Sequence, residues 1–274
     1  MVTRRDYNRE AVEAAHSVLL EILHVLGEYR DHIVLVGGWA PPFLCPSPET
    51  PHTGSLDIDL ALDHRKISEA GYRTMRQLLS ARGYEQGAQP FIFYRDVRVG
   101  DRQVRVEVDL LGAEYGGTGE RHRTQKVHDL RVRKARGADL AFDSSVKATI
   151  EGTLPNGAAD SATVRVASVV AFIVMKSMAL DARLKEKDAW DIYYCLRNYP
   201  GGVEAVTEAF TRGIRHGLVK DGLERLAKHF SSVNDFGPVS VTDFEMITDI
   251  EERDLIRREA FERVQYILKR IGIT

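Results

Sequence analysis

The sequence predicts an α/β (α+β) fold, a mixed sheet flanked by helices followed by a mainly helical region, and three observations carry that reading. A short β-branched run, Ile33-Val34-Leu35-Val36, stops at Gly37-Gly38, as a strand entering a tight turn does. Two later segments, 56–62 and 103–111, alternate apolar and polar residues with the two-residue period of half-buried strands. Past about residue 166 that alternation gives way to apolar residues at helical spacing. The boundary is therefore placed there, with one domain at 1–166 and a helical domain at 167–274 that is expected to close one wall of a substrate cleft.

Each element follows from local chemistry. Val12, Ala15, Leu19, Ile22, Leu23 and Leu26 recur every three or four residues and predict an amphipathic helix over roughly 7–29. After the strand at 33–36, Pro41, Pro42, Pro46, Pro48 and Pro51 exclude regular helix or central strand across much of 41–51. In the next strand Leu56, Ile58, Leu60 and Leu62 face one way and Asp57 and Asp59 the other. A helix follows over about 66–81, then a hairpin from Phe91 to Leu111 turning at Gly100-Asp101. Its second strand puts Val104, Val106, Val108 and Leu110 on one face and Arg105, Glu107 and Asp109 on the other. A Gly-rich turn at 116–119 precedes a basic stretch, and a further hairpin spans 146–168 around Leu154-Pro155-Asn156-Gly157. Ser168 reads as the N-cap of a helix reaching about 183, a second helix covers about 186–198, and Pro200-Gly201-Gly202 breaks it. The remainder is helical.

Composition narrows the function classes. With 43% hydrophobic and 28% charged residues the chain is an ordinary globular protein, which excludes disordered and collagen-like classes. A net charge of -2 means that any polyanion site must be local. The two cysteines, Cys45 and Cys195, lie far apart without a Cys-x-x-Cys spacing, so neither a disulfide framework nor structural zinc is expected and a reducing cytoplasm fits. The N-terminus lacks a signal-peptide apolar stretch, and no run approaches the ~18 apolar residues that span a bilayer. A cytoplasmic protein without a membrane partner is expected. Walker, His-Glu-x-x-His and Gly-x-Ser-x-Gly patterns are absent from the sequence.

The chemistry concentrates in His52-Thr53-Gly54-Ser55-Leu56-Asp57-Ile58-Asp59-Leu60. Carboxylates two residues apart on a strand project from one face about 7 Å apart, a spacing suited to sharing hard cations that also bind phosphates. An exposed strand edge with two acids would read the same. Context adds the Gly37-Gly38 turn, where bare backbone can approach a phosphate, and Asp109 on the polar face of a later strand. His52 reads as a loop residue rather than a base.

In this order and spacing the chain resembles the nucleotidyltransferase superfamily related to DNA polymerase beta, and more closely its AbiEii/AbiGii-type toxin branch from type IV toxin-antitoxin systems. The resemblance covers roughly 32–200. Val36-Gly37-Gly38-Trp39 is similar to the opening motif, Thr53-x-Ser55-x-Asp57-Ile58-Asp59-Leu60 to the carboxylate strand, and Val108-Asp109 to the third carboxylate. A longer pattern, Lys176-x-x-Ala179-x-x-x-Arg183-x-Lys185-x-Lys187-Asp188-x-x-Asp191-Ile192-Tyr193, resembles the branch's helical motif. Trp39 departs from it, standing where many members have Ser. Ser55 then either supplies a phosphate-binding hydroxyl or is an ordinary strand-edge serine.

The resemblance implies a nucleotidyltransferase fold and transfer of a nucleoside monophosphate from a nucleoside triphosphate to an acceptor hydroxyl. Asp57, Asp59 and Asp109 would be catalytic and hold magnesium, two ions, with manganese as an alternative. Gly37, Gly38, Ser55, Lys176, Arg183, Lys187, Asp188 and Asp191 would bind the nucleotide, Lys176 also offsetting charge on the leaving group. Lys176 and Arg183 lie two helical turns apart and so share a face, about 10.5 Å apart in rise. For Lys187 and Asp191 an i,i+4 ion pair explains the residues equally well. The implied acceptor is RNA, with transfer RNA the first choice, and the implied genetic partner is an antitoxin. The basic stretch 121–136 carries seven Lys/Arg against one acid, so it would either track an RNA backbone or form a solvated face. Two alternatives are a small-molecule nucleotidyltransferase of the aminoglycoside type and an inactive nucleotide-binding regulatory module.

Overall fold

The computed structural model describes residues 1–63, 66, 67, 69–113, 124–127 and 130–273, without the side chains of 69–73, 113, 124–127 and 130–134. In chain order the elements are α1 (Arg9–Val25), β1 (Ile33–Val36), α2 (Ala40–Leu44), β2 (Asp57–Leu62), α3 (Glu69–Ala81), β3 (Glu85–Gln86), β4 (Ile92–Val99), β5 (Arg102–Ala113), β6 (Thr124–Val127), β7 (Leu130–Ala135), α4 (Ala138–Asp143), β8 (Ser145–Thr153) and β9 (Ala159–Ala167). Six helices follow: α5 (Val169–Arg183), α6 (Glu186–Asn198), α7 (Gly202–Gly213), α8 (Gly217–His229), α9 (Phe236–Phe244) and α10 (Ile250–Ile271). The fold is mixed α/β with a helical C-terminal region, as the alternation and its loss predict.

The chain divides into two compact units. One comprises Asn8–Ala40 and Gly54–Ala167; the other comprises Met1–Tyr7, Pro41–Thr53 and Ser168–Thr274.

The first unit is built on a sheet of strand order β3-β4-β5-β2-β1-β9-β8, with β7 paired to the end of β5 and β6 paired to β7. All four residues of β1 are buried, and it lies between β2 (antiparallel) and β9 (parallel, Leu35 opposite Val166). A strand covered on both faces has no use for alternation, which is why β1 reads as a continuous apolar run. β2 and β5 are parallel, while the β4–β5 and β8–β9 hairpins are antiparallel and turn at residues with positive φ, Gly100 and Gly157. Helix α1 starts at Asn8, whose side chain accepts from the Ala11 amide at 2.9 Å, and it buries Ala14, Ala15, Val18, Leu19 and Ile22. It stops at Val25, short of the expected 29, because a 3₁₀ segment over Gly27–His32 takes the chain into β1.

The helical unit opens at Ser168, whose hydroxyl accepts from the Ala171 amide at 3.3 Å and caps α5. α5 and α8 approach closely because Gly222 lies against Val174, where an added Cβ would come within 2.8 Å of a methyl. Phe172, Phe210, Phe230 and Phe244 fill this unit's core. The proline-rich segment is irregular over 45–51, as expected, and begins with a single helical turn, α2. Pro41 and Pro42 occupy its first positions, where a missing N–H costs no hydrogen bond.

Candidate active site

Within the sheet unit the three aspartates reach one neighbourhood through strand register. Asp59 is paired with Val36 on one side and with Asp109 on the other, while Asp57 is paired with Glu107. Residues in register on neighbouring strands project to the same face, so Asp57, Asp59 and Asp109 share one. Their burial is graded: Asp57 is exposed, Asp59 half-buried and Asp109 buried. Ser55 is buried and its hydroxyl donates to Asp57 Oδ1, which orients that carboxylate.

Gly37 and Gly38 start a 3₁₀ turn, Gly37–Trp39, directly after β1. Gly37 has φ +65, and a Cβ there would overlap the Asp59 carboxylate, so position 37 must be bare both for its backbone and for the acid beside it. Trp39 is buried, with its ring 5.4 Å from that of His16 and close against Gly54. Its side chain is a core element where the resembling motif places a serine. As the side chains stand, no three His, Cys, Asp or Glu groups among the described residues converge to hold one ion. The donor chemistry nevertheless fits a hard divalent cation: carboxylate oxygens on one sheet face, that of Asp57 exposed, beside a cradle that a Cβ would fill.

Within the helical unit, the residues singled out on α5 and α6 form one network. Lys176 Nζ donates to Asp188 Oδ1 at 2.8 Å and reaches Asp191 Oδ2 at 2.7 Å. Arg183 grips Asp188 through Nε and a terminal nitrogen at 2.7 and 2.8 Å, and Lys187 Nζ donates to Asp191 Oδ1 at 2.7 Å. The i,i+4 pair expected for Lys187 and Asp191 is thus present, but inside a buried cluster rather than on a solvated helix face. Burial opposes charge on Lys176, yet Asp188 and Asp191 outweigh it and raise its pKa. For Asp191, burial likewise opposes charge, and Lys176, Lys187 and His52 together hold its carboxyl well below the usual range. Asp188 is lowered against burial by Lys176 and Arg183.

Sequence reasoning passed over His52. It lies in the loop, as expected, but its side chain is fully buried and its Nε2 is 2.9 Å from Asp191 Oδ1. The ring packs 4.8 Å from both Trp190 and Tyr194. Burial, and then Lys187, push the imidazole pKa down to about 4. No pattern in the sequence separates this histidine from an ordinary loop residue, since its partner lies 139 positions away. The basic stretch cannot be placed in the same way: 121–123, 128 and 129 lie outside the described residues, and over 124–127 and 130–134 the backbone alone is described. The Gly-rich turn at 116–119 also lies outside them.

A strand ending in a glycine turn, a carboxylate pair on the next strand and a third carboxylate in register beside it define the class of protein: a nucleotidyltransferase. The chain belongs to the family described as nucleotidyl transferase AbiEii toxin of type IV toxin-antitoxin systems, which matches residues 22–265. No curated protein matches it. Among solved structures, the crystal structure of JHP933 from Helicobacter pylori is similar over 92% of this chain and 91% of that chain, at 16% identity and a TM-score of 0.44. No helix among the described residues is long and apolar enough to cross a membrane.

Proposed function

We propose that this toxin-family nucleotidyltransferase moves a nucleoside monophosphate from a nucleoside triphosphate to a hydroxyl of RNA, with transfer RNA the first candidate acceptor, and that it needs magnesium. The observation that carries the reading is the placement of Asp59 in register with Asp109 and against Gly37, which gathers carboxylate oxygens next to side-chain-free backbone. Magnesium, with manganese as an alternative, would be held by Asp57, Asp59 and Asp109; when bound it supplies charge neutralisation of the triphosphate and a lowered pKa for the acceptor hydroxyl. Ser55 fixes the direction of the Asp57 carboxylate. Attack of the acceptor oxygen on the α-phosphorus forms one P–O bond and breaks that to the β-phosphate, releasing pyrophosphate.

Lys176, Arg183 and Lys187 are assigned to the anionic nucleotide. Charge supports this: three cations face two carboxylates, and His52 is neutral, so these groups together carry a net positive charge suited to an anion. A cognate antitoxin is the expected protein partner. The test is transfer of label from α-labelled nucleoside triphosphates in the presence of magnesium to total RNA, run beside a small-molecule extract. Label in RNA, lost with chelator, supports the proposal. Label in the small-molecule extract alone would replace it with an aminoglycoside-type reaction, and no label in either would favour a binding module.

A further inference from the structure

We propose that His52 is a positioning residue for the helical network, holding Asp191 in the one orientation that presents its second oxygen to Lys176. This rests on the assignment of Lys176 to the nucleotide made above.

The geometry permits one hydrogen-bond pattern. Asp191 is ionised and fully buried, so it can only accept. Its Oδ2 faces Lys176 at 2.7 Å. Its Oδ1 is shared by Lys187 at 2.7 Å and His52 Nε2 at 2.9 Å, so the imidazole must donate there as the Nε2–H tautomer. Without that donor, Asp191 Oδ1 keeps a single flexible ammonium partner, and the carboxylate can turn and carry Lys176 with it.

The histidine is itself held firmly. Trp190 and Tyr194 contact its ring, and the Tyr194 hydroxyl lies 3.2 Å from the Cys45 carbonyl and 3.0 Å from the Thr50 carbonyl. The segment that carries His52 is therefore bonded to α6, the helix that also carries Asp191. Groups facing the imidazole are Asp191, Lys187, Lys176, Trp190 and Tyr194; buried and with both lysines nearby, it stays neutral near pH 7. A neutral donor adds no charge to a cluster whose cations already exceed its anions. A mere space-filling histidine between Trp190 and Tyr194 would need neither this tautomer nor this reach.

The test uses the full chain, magnesium, α-labelled triphosphates and total RNA, with kcat and KM for the triphosphate measured separately. His52→Phe keeps an aromatic ring without a donor, His52→Met keeps the reach without a donor, and His52→Gln restores an N–H near Nε2. The expected result is a kcat about 10–100-fold lower in the Phe and Met variants, the range for lost supporting hydrogen bonds, with KM within about threefold and Gln recovering most of the rate. Parent-like kcat in either donor-less variant, or a Gln variant that folds and is as slow as Phe, overturns the proposal. Should the donor-less variants fail to fold, the parent decides: long-range 1H–15N spectra should show a neutral Nε2–H imidazole from about pH 5 to 8, and a charged ring or the Nδ1–H tautomer there overturns it. Asp57→Asn is run alongside. If it transfers label like the parent, the nucleotidyl-transfer assignment fails and the proposal with it; if it is inactive while His52→Phe is not, the positioning role alone fails.

Discussion

Asp59 and Asp109 stand side by side in the parallel β2–β5 ladder, two acids on adjacent strands and one sheet face. Two carboxylates in register on one face can share a cation, which makes the pair informative about function. Asp59→Asn and Asp109→Asn keep shape and remove charge. Each is expected to lower label transfer at least about 100-fold, since each would remove a proposed direct ligand rather than a supporting group. Parent-like transfer by either variant would refute the ligand assignment.

Gly37 has φ +65 and lies against the Asp59 carboxylate. Gly37→Ala therefore meets a strained backbone and a steric overlap together, at a cost on the order of 1–3 kcal/mol. The expected result is a lower urea midpoint accompanied by lost transfer. An alanine variant as stable and active as the parent would mean that the turn relaxes freely.

Asp191 compensates two buried ammonium groups, Lys176 and Lys187. Asp191→Ala leaves both without that carboxylate, and a loss of about 3–5 kcal/mol is expected in equilibrium unfolding. Adding Lys187→Met to that variant should cost less than the two single losses summed, because part of the penalty is the stranded charge itself. Strict additivity would argue against the network.

Acid should weaken the helical unit through Asp181. Hydrogen bonds from Lys228 and His229 lower its pKa to about 2, and Arg225 adds a contact at 2.6 Å. A carboxylate with a depressed folded pKa stabilises fully above its unfolded value, roughly 3.9, and loses that contribution as pH falls towards the folded value. The stability difference between parent and Asp181→Asn should shrink as pH falls from about 4 to 2. A difference independent of pH across that window would exclude the linkage.

Much of this protein is legible along the chain because its information is local. Alternation in 56–62 and 103–111 is a property of one strand at a time and fixes which face carries the acids; Ser168 marks a helix start through a bond to Ala171, three residues on. The single turn at Pro41-Pro42 was harder to read, since prolines forbid a helix interior but suit its first positions. Trp39 shows another limit: its place in the motif is visible in sequence, but its packing against His16 and Gly54 is not.

By itself the sequence determined the class of fold, the order of the three aspartates and the residues of the helical motif, since periodicity, capping and motif spacing all act over short distances. The tertiary structure decided register, burial and partnership. It set Asp59 beside Asp109, grouped 41–53 with the helical unit, and put His52 against Asp191 across 139 positions of chain. The reason is physical: strand pairing and the burial of a charged network are settled by what else occupies the same volume, and no local pattern encodes that.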